Sequence, residues 1–320
     1  MIAGELRYAY FGTGVFAARC LELLSEWRMP SWVVTSPSMA SRGRNAPVRS
    51  PVGELFSGGG TWSGIPLVES ANASSDEAVL DLNKNARVDF AFVVDFGQFI
   101  KEPLLNAKGR IGCLNIHPSR LPCYRGAAPI QRALMDGAAE IGVSVFKLGR
   151  GMDSGPVLLQ EKLAVGPYED FGSVRERAAV LGVEAFIRLV SKTPVEEWSF
   201  VPQDDALATY APKISSEEER IDWSATARAV SDRVRALSPR PGAWTTLKGK
   251  RLLVLSARPE EGAAKDRASP GELCLCGGNP RVASSDGFVE LITVQPEGKK
   301  PQPASAWKNG LRMRVRECLE

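Results

Sequence analysis

The chain has 320 residues, of which 44% are hydrophobic and 24% charged, and its net charge at pH 7 is +3. A chain of this length buries roughly three quarters of its extended surface on folding, which excludes intrinsic disorder as its main state and fits two domains better than one. No apolar run approaches the about 18 residues of a membrane-spanning helix, and the opening MIAGELRYAYFG lacks the basic, apolar and small-residue sections of a secretion signal, so a cytoplasmic protein is expected.

In chain order, residues 6–11 read as a buried β-strand, Gly12 to Gly14 as a glycine turn, and 16–27 as a helix. A second strand at 31–35 completes a βαβ unit and implies a parallel sheet. Residues 36–64 are rich in Gly, Ser, Pro and Arg and read as a long loop carrying Arg42, Arg44 and Arg49, with no acid between Trp27 and Gly53. Strands follow at 90–94, 112–116, 142–148 and 157–164, with helices at 130–136 and 173–191. Residues 192–211, bordered and interrupted by Pro194, Pro202 and Pro212, have the aperiodic pattern of a linker. A helix is expected over 223–237, capped by Asp222 or Ser224 and ended by the SPRPG turn. Five short β-prone runs, 243–247, 251–257, 271–276, 280–284 and 287–294, then suggest a small barrel.

Charge is unevenly divided. Residues 1–209 carry 21 basic and 23 acidic side chains, whereas 210–320 carry 19 and 14. The second half therefore suits an anionic partner, although an ordinary solvated surface has the same balance. Six cysteines show no regular framework, and Cys274 and Cys276 are too close for zinc-ligand spacing, so reduced thiols are expected. His117 is the only histidine, which excludes metal motifs built from paired imidazoles; no metal is expected.

Gly12-Thr13-Gly14-Val15-Phe16-Ala17 fits a loose dinucleotide-binding turn, yet the second strand ends Val34-Thr35-Ser36 without the acid that would hold a ribose. A plain strand-to-helix turn or a turn lining another ligand remains open. The segment 112–131, GCLNIHPSRLPCYRGAAPIQ, changes from apolar to polar at Asn115, at the carboxyl end of a strand. Alternation puts Asn115 and His117 on one face, supplying an amide donor and a proton-transfer group. Asp153, in the turn GRGMDSG, is a carboxylate able to return to the same crevice. Turn-forming roles for all three stay open at this point. Ser119 near His117 allows a serine nucleophile, but no GxSxG elbow supports one. Without a side-chain nucleophile, a reactant must bring it, as in direct transfer to an amine.

FGTGVFAARCLELL at 11–24, SRGRNAPVRSPV at 41–52, LNIHPSRLPCYRGAAPIQRAL at 114–134 and IGVSVFKLGRGMDSGPVLLQ at 141–160 closely resemble the methionyl-tRNA formyltransferase family. So do YAPKISSEEERIDWS at 210–224 and VRALSPRPGAW at 234–244. The fold class this resemblance implies is α/β, a Rossmann-like formyltransferase domain followed by a small oligonucleotide-binding-type β-barrel. It assigns 1–191 to formyl-tetrahydrofolate binding and catalysis, 192–209 to a linker and 210–320 to tRNA binding. It implies 10-formyltetrahydrofolate as donor, methionyl initiator tRNA as acceptor, and a monomer without an obligate protein partner or membrane.

The same resemblance gives catalytic roles to Asn115, His117 and Asp153. It places folate against Phe92, Val93, Val94, Asp95, Phe96, Gly97 and Ile100, and against His117, Pro118, Ser119, Leu121, Pro122 and Asp153. For tRNA it implies Arg42, Arg44 and Arg49 in the inserted loop, and the basic positions Lys213, Lys248, Lys250 and Arg251. Departures from the family pattern are Gly14 for Pro, Asp95 where Ala is usual, Gln98 at an apolar position, Cys123 for Arg and Ile141 for Thr. A sugar-amine formyltransferase, a formyl-tetrahydrofolate hydrolase and a noncatalytic RNA-binding protein are the competing expectations.

Overall fold

The computed structural model describes residues 6–38, 47–58, 60–105, 111–261, 268–275, 277–311 and 318–320. The first part of the chain runs β1 (Tyr8–Gly12), α1 (Val15–Trp27), β2 (Val33–Thr35), α2 (Pro51–Leu55), β3 (Leu67–Glu69), α3 (Glu77–Asn85), β4 (Phe90–Val94) and β5 (Gly112–His117). It continues with α4 (Pro129–Met135), β6 (Glu140–Lys147), β7 (Val157–Ala164) and α5 (Phe171–Lys192). The strands form one seven-stranded sheet in the order β3-β2-β1-β4-β5-β6-β7, parallel from β3 to β5, with β6 antiparallel to β5.

The central strand FAFVV is buried at every position, as a parallel strand covered on both faces requires. Phe90 and Phe92 face Tyr8 and Phe186 of α5, while Ala91 and Val93 join Phe11, Trp32 and Phe96 in a second cluster. Gly182 permits α5 to approach the β5–β6 pair. A Cβ there would lie 2.7 Å from Ile116 and 2.8 Å from Val143.

Contacts divide the chain into two units, Met1–Arg125 with Gly142–Leu163 and Arg175–Tyr210, and Gly126–Ile141 with Ala164–Val174 and Ala211–Glu320. These units interleave, whereas the expected blocks 1–191, 192–209 and 210–320 are consecutive. The second unit contains α6 (Ala227–Leu237), β8 (Ala243–Leu247), β9 (Lys250–Glu261), β10 (Leu273–Cys274), β11 (Arg281–Ala283), β12 (Gly287–Pro296), β13 (Gln302–Pro303) and α7 (Ala304–Asn309). Its sheet follows β10-β11-β12-β9-β8, with β13 paired to β12. Residues 318–320 connect the two ends of that path. Leu319 N–H donates to Gly271 O beside β10 at 2.8 Å, and Glu320 exchanges backbone bonds with Thr246 of β8 at 2.8 and 3.0 Å. The edge strands are thereby joined, consistent with the expected oligonucleotide-binding-type β-barrel.

Several local expectations need correction. The loop 36–64 contains α2, whose N-terminus is capped by Ser50 Oγ accepting from Gly53 N–H, and a 3₁₀ turn at Gly60–Trp62. Helix α6 starts at Ala227 under a Thr226 cap, because Asp222 instead accepts from Ser224 in a preceding turn. β9 and β12 are 12 and 10 residues long, not short runs. The supposed linker carries 3₁₀ turns at Val195–Glu197 and Asp205–Leu207, and Val201 exchanges two 2.8 Å backbone bonds with Val157 of β7.

Candidate active site

At the end of β5, Asn115 pairs in register with Phe146 and His117 with Ser144 on β6. Strand alternation directs Asn115 and His117 to one face and Ile116, 1% exposed, to the other. His117 is itself buried, with Nε2 3.0 Å from the carbonyl oxygen of Tyr124. A carbonyl only accepts, so Nε2–H is the donor, and the neutral ring keeps its lone pair on Nδ1. Nδ1 lies 3.7 Å from Asp153 Oδ2, beyond direct hydrogen-bond length but within reach of a small side-chain shift. The Asn115 Oδ1 atom is buried without a hydrogen-bond partner, a demand that a ligand donor can meet.

Two residues that frame this arrangement have left-handed backbones, Tyr124 at φ 58° and Asp153 at φ 47°. Such conformations cost non-glycine residues about 1–3 kcal/mol each and persist where surrounding structure enforces them. Tyr124 thereby presents its carbonyl to His117. Sequence reasoning missed this residue, because the group that acts is its backbone, not its phenol. The Ser119 hydroxyl, proposed as an alternative nucleophile, is buried and donates to Cys123 O at 2.7 Å.

The residues expected to meet folate fall into two groups. Phe92 and Val93 have their side chains in opposite cores, while Val94 ends β4 fully buried. Phe96 packs on Phe11, Ile100 joins the same cluster, and Gly97 turns the exposed loop at φ 74°. Pro118, Leu121 and Pro122 line the turn after His117, where Leu121 N–H donates to Ser144 Oγ. Gln98 bridges backbone instead of standing apolar: its Oε1 accepts from Ala73 N–H and its Nε2–H donates to Ser70 O.

Two family departures, Gly14 and Asp95, meet in space. Gly14 is the N-cap of α1 and supplies no side-chain bond. The Asp95 carboxylate reaches across to the N-terminus of α1, where the backbone N–H groups of Phe16 and Ala17 favour its charged form. A Cβ on Gly14 would lie 1.8 Å from Asp95 Oδ2. The Asp95 carbonyl also accepts from Thr13 and Gly14 N–H, both at 3.1 Å. Asp95 is surface-accessible, yet protein crowds its carboxyl: desolvation pushes its pKa up to about 6, against the lowering effects of Arg175 and the two N–H groups. A chain carboxylate at this helix N-terminus occupies the place where a dinucleotide phosphate would bind, which removes the dinucleotide reading.

Among the expected RNA-contacting residues, Arg42 and Arg44 lie outside the described residues. Arg49 is exposed and donates to Ser57 Oγ at 2.9 Å. Lys213 is exposed, and its carbonyl accepts from Arg132. Lys248, Lys250 and Arg251 share the tight β8–β9 hairpin, where Lys248 and Gly249 both have positive φ, as a type I′ turn requires. Arg251 stacks 4.5 Å over the Trp244 ring, and Arg220 lies 5.8 Å from the same ring.

Among the described residues there is no group of three or more His, Cys, Asp or Glu suited to a metal and no helix long and apolar enough to cross a membrane. The family described as Formyl transferase matches residues 7–190, and Formyl transferase, C-terminal domain, matches 213–312. The methionyl-tRNA formyltransferase of Dictyoglomus turgidum is 34% identical over 318 residues, covering 98% of this chain and 99% of that protein. The methionyl-tRNA formyltransferase of Jannaschia sp. strain CCS1 is 36% identical over 324 residues, covering 98% and 100%. A solved N-formyltransferase from Helicobacter canadensis, in complex with folinic acid and dTDP-3-aminofucose, aligns with a TM-score of 0.63 at 14% identity, over 89% of this chain and 99% of that one. At that identity the likeness is one of fold.

Proposed function

The chain belongs to the methionyl-tRNA formyltransferase family, and from that membership we propose that its acceptor is the α-amine of methionine on initiator tRNA, with 10-formyltetrahydrofolate as donor. It is a folate-dependent formyltransferase. The product of the proposed reaction is N-formylmethionyl-tRNA, used to begin translation, which puts the enzyme in the cytoplasm. What supports the site assignment is that His117 Nδ1 faces Asp153 on the strand face that alternation shares with Asn115, whose Oδ1 is buried and unpartnered.

When bound, 10-formyltetrahydrofolate supplies the activated formyl group, and the remaining demands fall on the chain. An ammonium has no lone pair, so the methionine amine must lose a proton to attack. His117 Nδ1 is the ring atom able to take it, and to pass a proton to N10 of the departing tetrahydrofolate as the N10–formyl bond breaks, because Nε2–H is committed to Tyr124. Asp153 faces that atom and balances the charge the ring gains. Asn115 donates its amide N–H toward the formyl oxygen as negative charge grows there. The β4 loop from Asp95 to Gly97 and the turn from Pro118 to Pro122 form the proposed folate walls.

We assign residues 1–191 to donor binding and catalysis, 192–209 to the connection and 210–320 to tRNA binding. Arg42, Arg44 and Arg49, with Lys213, Lys248, Lys250 and Arg251, are the proposed phosphate contacts, and their charge is what supports this role. The test is incubation with 10-formyltetrahydrofolate and either methionyl initiator tRNA or an amino sugar. Formylation of the aminoacyl-tRNA is expected. Formyl transfer to the sugar alone, or hydrolysis without transfer, refutes the acceptor assignment.

A further inference from the structure

Gln203 lies in the segment whose aperiodic sequence suggests a linker, but every hydrogen-bonding position of its amide is used. Its Oε1 accepts from Arg125 Nε at 3.0 Å and from Nη2 at 2.8 Å. Its Nε2 donates to the carbonyls of Asp153 at 2.8 Å and Gly155 at 2.7 Å. The orientation is unambiguous chemically, since a guanidinium only donates and carbonyls only accept. Arg125 is 4% exposed and directly follows Tyr124, the residue whose carbonyl holds His117. The segment is anchored on both sides of Gln203, by the Val157–Val201 pair and by Thr209, which bonds Tyr124 N–H at 2.8 Å and Arg125 N–H at 2.9 Å.

We propose that Gln203 is a positioning residue whose amide, oriented by Arg125, joins the turn that carries Asp153 to the loop that holds His117, and so sets the spacing of the two groups. The proposal rests on the catalytic reading of His117 and Asp153. Gln203 touches neither reacting atom. It acts through the backbone of a left-handed residue, Asp153, whose strained conformation needs outside support.

Gln203→Glu separates the two halves of this device. The carboxylate still pairs with Arg125, but both donors to the Asp153 turn are lost and oxygen faces oxygen there. Gln203→Met removes both halves at similar volume, and Asp205→Ala removes an exposed Arg125 partner at 2.8 Å while leaving the Gln203 amide intact. The assays are kcat, KM for each substrate, and the imidazole ¹⁵N resonances, which belong to a single residue because the chain has one histidine. For Gln203→Glu we expect kcat to fall about 10- to 100-fold, KM to stay within about threefold, and the imidazole resonances to move. Asp205→Ala should keep kcat within about twofold with unmoved resonances.

If Gln203→Met does not fold, Gln203→Glu carries the test. Wild-type kcat with unmoved resonances in Gln203→Glu, a loss confined to KM, or an equal loss in Asp205→Ala overturns the proposal. His117→Ala and Asp153→Asn are measured in parallel. If they keep full kcat, the catalytic reading fails; if they lose it and Gln203→Glu does not, only the positioning role fails.

Discussion

Replacing Gly14 by alanine forces a Cβ to within 1.8 Å of Asp95 Oδ2, with the other close atoms, at 2.5 and 2.9 Å, also belonging to Asp95. The backbone at Gly14, φ −77° and ψ −178°, suits any residue, so the conflict is with the carboxylate alone. To escape, Asp95 must leave the N-terminus of α1, where the N–H groups of Phe16 and Ala17 favour its charge. A carboxylate at a helix N-terminus is worth about 0.3–1 kcal/mol when exposed and up to about 2 kcal/mol when partly buried, so the net loss is about 1–2 kcal/mol. A double-mutant cycle isolates that quantity. Urea unfolding of the wild type, Gly14→Ala, Asp95→Ala and the double variant should give a coupling energy of about 1–2 kcal/mol, with Gly14→Ala nearly neutral once Asp95 is alanine. A Gly14→Ala cost that is the same in both backgrounds would refute the claim that Asp95 caps α1 across the turn.

The pH dependence of Asp95 has a definite sign. Its pKa is about 6 in the fold against 3.8 ordinarily, so the folded state holds the proton more tightly, and the associated stability is present below pH 3.8 and lost as pH rises through 6. Arg175, Cys20 and Tyr10 also face it; burial holds the thiol and the phenol neutral throughout that window. Asp95→Asn should therefore gain stability relative to wild type between pH 4 and about 7, measured by thermal melting; a pH-independent difference would contradict this. Asn115→Ala should lower kcat about 100-fold or more with little change in urea stability, since its Oδ1 has no hydrogen bond to lose, and near-normal turnover removes it from its role. Arg251→Ala should weaken tRNA binding and reduce the slope of log Kd against log salt by about one unit; an unchanged slope excludes a phosphate contact.

Most strands, and the shared face of Asn115 and His117, were legible because they depend on local periodicity. FAFVV can hardly be anything but a doubly covered strand, and the alternation from Asn115 to His117 needs only two residues of extended chain. Strand β3 and helix α3 were not anticipated: β3 is three residues long and half exposed, and α3 is marked chiefly by its Asp76 cap. The partnership of Gly14 with Asp95 spans 81 positions, and neither residue alone announces it. Gln203 was hidden for a similar reason, since its partners are backbone carbonyls and an arginine far away in the chain. Tyr124 acts through a carbonyl that every residue possesses, so no side-chain pattern could reveal it.

Closure of the second sheet by residues 318–320 has a consequence for biosynthesis. Thr246 and Gly271 emerge from the ribosome long before their partners, and α4, whose Arg132 pairs with Glu218, emerges earlier still. By contrast, Arg125 finds its partner segment once residue 209 has been made. Vectorial synthesis thus lets the unit holding β1 to β7 close before residues 318–320 join the strand edges of the second sheet.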